Sequence, residues 1–264
     1  MSNKNVVLEE EFELTSVPLE KRKSVFSVSL IWIGFPMIIT AAITGATVVI
    51  GLGFIKGMIA ILLGNLLLFA YVGTLGALAT KKGYNFGLQA SITFGRKGSI
   101  IVSGLLSTFV IGWFAVHVGL TGASMNDAFG ISVLGMSLLG GILYLLVTLI
   151  GVKALTYIGA VSAPLFFIIG IWATGDAIVN AKWSTIMSYK GEGSIALGVA
   201  VTMVFALFTD SGTMTGDFNR WSKNIRESII ATGTAFPFAN GIAMVFGGVI
   251  AASAVSNPDF FYYI

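Results

Sequence analysis

Cysteine is absent from this chain, histidine occurs once, and charge is scarce. Without cysteine there are no disulfides and no thiol chemistry. A lone histidine with no cysteine offers too few ligands for a zinc-type centre. Only 10% of the 264 residues are charged, where a soluble domain carries roughly a quarter. The basic residues sit in short clusters between apolar runs, which is not the footprint of a nucleic-acid binder. No short apolar stretch with a small-residue cleavage site opens the sequence, so no cleavable signal peptide is read, and the first long apolar run serves as its own targeting signal. Pro-rich linkers, low-complexity tracts and short-period repeats are also missing. The chain reads as one membrane domain, residues 25–264, behind a polar tail, residues 1–24, expected to be solvated and without fixed structure.

What is abundant is apolar: 56% of residues are hydrophobic, and 33 are glycine. Crossing the hydrocarbon core takes about 20 apolar residues in a helix. Seven stretches meet or approach this: 25–50, 57–78, 100–120, 131–152, 154–178, 195–216 and 229–254. They are uniformly apolar rather than alternating, so they predict helices and not barrel strands. The segment 81–99 is expected to hold a short interfacial helix. Lys and Arg divide unevenly between the two sets of connections. Lys4, Lys21, Arg22, Lys23, Lys81, Lys82, Arg96, Lys97, Lys153, Arg220, Lys223 and Arg226 fall on one side, against Lys56, Lys182 and Lys190 on the other, 12 to 3. The positive-inside rule then predicts a multi-pass plasma-membrane protein with a cytoplasmic N-terminus.

Two spans carry residues that disfavour a continuous helix. The first has Gly34-Phe35-Pro36 near its middle, and proline removes a backbone donor and clashes with the preceding turn. The sixth has Thr209-Asp210-Ser211-Gly212. The two begin on opposite sides and lie five spans apart, the pattern of a five-helix inverted repeat whose matched broken helices build substrate and ion sites near the midplane. The first repeat would cover about 25–178 and a partial second about 195–264. The plainer alternative is a proline kink in span one and an early end of span six near Thr209.

The segments RKSVFSVSLIWIGFPM, LLGNLLLFAYVGTLGALATKKG, ASITFGRKGS, IGWFAV and SGTMTGDFNRW, in this order, resemble the nucleobase–cation symporter-1 family, and within it the bacterial cytosine permeases. The resemblance runs along essentially the whole chain. It implies an all-α polytopic membrane protein with the five-plus-five inverted-repeat transporter fold, and a symporter that carries a nucleobase or related heterocycle inward with sodium or protons. Members usually have twelve spans, so the chain would hold spans one to seven only, without the sodium and substrate ligands of span eight.

The resemblance also implies site residues. Trp113 matches the tryptophan that stacks on one face of the base, a pairing of about 0.5–1.5 kcal/mol beyond burial; the alternative is an indole that packs or faces lipid. Phe208 matches the aromatic that closes the other face, or else it is core. Asp210 stands where the cytosine permeases have a substrate-binding serine. A carboxylate in a span costs about 2.5–3.5 kcal/mol on insertion scales and is a functional candidate by default. It accepts hydrogen bonds from a ring N–H or an amino group, or carries a coupling proton, unless it lies hydrated near the mouth. Gly34 and Met37 match positions whose backbone carbonyls bind sodium, and Ile38 matches a backbone contact to substrate. His117 follows Trp113 by one helical turn on the same face and is a candidate substrate contact or a packing residue.

Two departures bear on the cargo. Val110 replaces a family glutamine and Leu207 a family serine, so the hydrogen-bonding code differs from that for cytosine. Asp217 and Arg220, three apart, are spaced to pair on a short helix. An intramembrane enzyme lacks a nucleophile–base pair in the spans. An amino-acid carrier of this architecture remains the alternative, although Gly34 is a single glycine where such carriers present several.

Overall fold

The computed structural model describes residues 12–150 and 152–254. Lys4 and Glu9, Glu10 and Glu11 of the expected tail, and positions 255–264 of the expected second repeat, lie outside the described residues. Apart from one isolated bridge between Lys23 and Ser222, the regular structure among the described residues is helical.

Span one is a bent pair, α1 (Val25–Gly34) and α2 (Ile39–Leu52), with 61° between them. Ser24 starts α1 by accepting the Ser27 N–H on its hydroxyl. Pro36 ends it, because it has no N–H for the Trp32 carbonyl. Span two is α3 (Phe54–Lys82), an uninterrupted rod. The helix α4 (Phe86–Phe129) joins the expected interfacial helix to span three across Gly95, whose φ of 68° and ψ of 177° only glycine adopts readily. Spans four and five are α5 (Val133–Ile150) and α6 (Val152–Ala181), and the short α7 (Trp183–Ser188) follows.

Span six is in three pieces, α8 (Leu197–Ala206), α9 (Thr209–Thr213) and α10 (Thr215–Asn219). Its interruption falls at Leu207 and Phe208, two residues before the stretch singled out in the sequence, with Phe208 at φ −126° and ψ 19°. Span seven is α11 (Ile225–Gly233) and α12 (Asn240–Ala254), separated by a widened segment in which Phe236 is extended and the Phe236–Pro237 bond is cis. This third interruption was not expected, although Pro237 signals it by the rule that finds Pro36.

By length and composition, four helices among the described residues can cross a membrane, or five when the bent pair counts as one span. Seven were expected. The two not counted are Val133–Leu149, apolar over the described residues, and span six, whose longest piece is Leu197–Ala206.

The α2 and α12 helices cross at backbone contact. A Cβ on Gly45 would fall on the Met244 main chain, and one on Gly247 on the Ala42 carbonyl. Small residues at such crossings let helices in lipid approach closely. Asn219, fully buried, is a hub: its Oδ1 accepts from the Trp32 indole N–H, and its Nδ2 donates to Ser228 Oγ at 2.7 Å and Thr232 Oγ1 at 2.9 Å. Its carbonyl accepts from Thr80 Oγ1 at 2.8 Å. These bonds tie α10 to α1, α3 and α11. An aromatic cluster fills the space between the broken helices, with Trp32 edge-on to Phe35, Phe218 and Phe236.

The tail expectation is corrected for residues 12–24, which pack across the basic end of the molecule. Val17 N–H donates to the Gly83 carbonyl at 2.9 Å, and Lys23 N–H to that of Trp221 at 2.7 Å. Arg22 donates to the carbonyls of Thr80 at 2.7 Å and Ser222 at 3.1 Å. Arg220, expected only to pair with Asp217, is buried and also donates to the Phe12 carbonyl at 2.9 Å. The last four carbonyls of a helix lack donors, and Arg22 supplies one to Thr80 in the last turn of α3.

Candidate functional site

The α8 helix stops at Ala206, and the chain turns on Phe208, whose ring is held 5.7 Å from Phe35 and 5.4 Å from Phe236. That anchor presents Thr209, Asp210 and Thr213 to α4 across a cavity of about 510 Å³. Phe109 and Trp113 face them from α4, and Phe86 closes the end nearest the interfacial segment. Thr209 and Thr213 share a face one turn apart. Among the described residues, Asp210 is the one ionisable group on the lining. Its Oδ1 accepts from the Ser211 N–H at 2.7 Å and Ser211 Oγ at 3.2 Å, and no lysine or arginine lines the cavity. A carboxylate in apolar surroundings with no cationic partner is costly to keep, which points to a ligand as its partner.

The other expected site residues lie elsewhere. Phe208 is 4% exposed, packed in the aromatic cluster and not on the cavity lining, so it does not face Trp113 across a gap. The reason is local: the helix interruption falls at Phe208 itself, and the most apolar side chain there turns inward to the core. His117 is half-buried with its ring 6.2 Å from that of Trp113, behind the indole and off the lining. Ile38 packs against two core clusters, and its backbone is already engaged. Its N–H donates to Pro36 O at 2.9 Å, and its carbonyl accepts from Ala41 N–H at 3.0 Å.

Those two bonds have a consequence for Gly34 and Met37. In a continuous helix the Ile38 N–H would serve the Gly34 carbonyl, and the Ala41 N–H that of Met37. Both donors are diverted, so both carbonyls lose their regular partners. Met37 is buried beside Ala163 of α6 and Ala239 of span seven, and Gly34 faces Gly159 and Ala163. Carbonyl oxygens freed in a dry interior suit a hard cation.

Sequence reasoning did not assign Thr209, Thr213 or Tyr71, yet Tyr71 OH lies 2.7 Å from Thr213 Oγ1 at the cavity wall. The threonine spacing was legible beside Asp210. The tyrosine, 142 residues away, was not.

Residues 16–263 match the family described as permeases for cytosine/purines, uracil, thiamine and allantoin. The chain belongs to this family. It is 28% identical over 243 residues to the cytosine permease of Escherichia coli K12, covering 92% of this chain and 58% of that permease. The cytosine permeases of the O6:H1 and O157:H7 strains match to the same extent. Among solved structures it resembles Mhp1, a nucleobase-cation-symport-1 family transporter. The closed conformation with bromovinylhydantoin bound gives a TM-score of 0.76 at 16% identity, over 92% of this chain and 57% of that one. The inward-facing conformation gives 0.80 at 16% identity, over 93% and 57%. This permease-family chain therefore has the inverted-repeat transporter fold and spans under three-fifths of the length of these relatives. The family is one of permeases and not of enzymes.

Proposed function

We propose that the chain is part of a plasma-membrane symporter that moves a flat, nucleobase-like heterocycle inward together with a cation, its N-terminus on the cytoplasmic side. The observation that carries this reading is the pairing of Trp113 with an uncompensated Asp210 across one cavity at the interruption of span six. A flat ring stacks on the indole, and its polar edge meets the carboxylate. The coupling ion, sodium in this reading, takes the carbonyls of Gly34 and Met37.

The Asn219 hub supports a moving unit of spans one, two, six and seven, since it bonds residues of all four. Rocking of that unit against spans three to five alternately exposes the cavity. The amino-acid alternative gains no support, because the interruption of span one offers the single glycine Gly34 where such carriers present several.

Uptake of radiolabelled bases into cells lacking their own permeases tests the reading. Trp113→Ala is expected to lower uptake at least about tenfold, a loss of about 1.4 kcal/mol or more. Replacing external sodium with choline is expected to lower it too. If no base competes, and Trp113→Ala leaves uptake unchanged, the site is elsewhere.

A further inference from the structure

The hydroxyl protons on the span-six side of the cavity are already committed. Thr209 Oγ1 donates to the Phe205 carbonyl at 2.8 Å. Thr213 Oγ1 donates to the Thr209 carbonyl at 2.8 Å. A hydroxyl has one proton, so the 2.7 Å contact between Tyr71 OH and Thr213 Oγ1 is made with the tyrosine donating. What remains on this wall is one lone pair on Thr213, two on Thr209 and the carboxylate of Asp210, whose Oδ1 is held by Ser211. The side chains of this wall accept and do not donate. The indole N–H of Trp113 belongs to the opposite wall.

We infer that this wall selects a cargo edge made of adjacent N–H donors, as in an amino-substituted heterocycle with a protonated ring nitrogen, against an edge of carbonyl oxygens. This rests on the carrier reading above and names the chemical class of its cargo. A donor edge satisfies Asp210 Oδ2 and a threonine lone pair together, and a positive ring meets a cavity lined by one carboxylate and no base. A carbonyl edge sets lone pairs against lone pairs and leaves polar atoms unpaired on both sides, the situation that sites reject most strongly.

The test is equilibrium binding to the detergent-solubilised protein with two probes of similar size, 2,4-diaminopyrimidine and uracil. The diamino compound is expected to bind at least about tenfold more tightly, the mark of a site built around a specific polar edge. Asp210→Asn should bring the two within about threefold of each other, because an amide both donates and accepts. Thr213→Val frees the Tyr71 hydroxyl as a donor and should move the ratio severalfold toward uracil. Uracil binding as tightly as the diamino compound overturns the inference and leaves the carrier reading standing. Neither probe binding, with neither competing in uptake, overturns both. Should Asp210→Asn fail to fold, an unchanged ratio in Thr213→Val still overturns the donor-edge assignment.

Discussion

Replacing Asn219 with leucine removes one buried side chain that three others depend on. Leucine keeps the heavy-atom count and branching of asparagine while removing every polar atom, so the change tests chiefly the loss of polarity, with some added bulk. The Trp32 N–H loses its acceptor, and the hydroxyls of Ser228 and Thr232 lose the donor that now reaches them at 2.7 and 2.9 Å. Interhelical bonds in membrane proteins average about 0.6 kcal/mol each, so three come to about 2 kcal/mol. Trp32 is fully buried and finds no water, and an orphaned buried donor costs about 1–3 kcal/mol. The two figures overlap, and the expected loss is about 2–4 kcal/mol, read from unfolding in detergent. Trp32→Phe removes the same donor from the other side, so the two substitutions should be strongly non-additive, with a coupling of about 1 kcal/mol or more. Additivity within about 0.5 kcal/mol would mean that the hub is a geometric coincidence and that α1 and α10 are held by the aromatic cluster alone.

Gly45→Ala puts a methyl into the Met244 main chain, which cannot swing aside, and should destabilise by at least about 2 kcal/mol in the same assay. Gly104→Ala on α4 is the control, since nothing lies within 4 Å of its Cβ position, and should be neutral or slightly stabilising. Arg22→Ala should free residues 12–24, seen as a severalfold rise in tryptic cleavage after Lys21 and Lys23; unchanged cleavage would show that the arginine bonds do not hold the strap.

The broken helices were legible because proline acts locally. Pro36 has no N–H wherever the chain goes, so span one loses a helix bond there whatever packs around it, although α6 keeps its course across Pro164 and shows that the loss alone does not break a helix. The same rule applied to Pro237 would have found the break in span seven. Asp210 was legible for a similar reason, since a carboxylate within an apolar run is costly in any packing. Gly95 was only half visible: a glycine marks a permissible bend, not the direction the chain takes.

The sequence by itself determined that this is a helical membrane protein with interrupted first and sixth spans, because hydropathy over about 20 residues, the missing N–H of Pro36 and the polar Thr209-Asp210-Ser211-Gly212 stretch within an apolar run do not depend on distant contacts. Only the tertiary structure decided which side chains the interruptions expose. Phe208 and Asp210 are two residues apart in one broken span, yet one is sealed in an aromatic core and the other lines the cavity. That choice depends on Phe35 and Phe236, and on Tyr71 reaching Thr213 from α3. The same holds at the basic end, where a tail that reads as polar is fastened by arginine–carbonyl bonds between residues as far as 208 apart. Composition sets whether a segment can be buried, and the partners that satisfy its backbone decide whether it is.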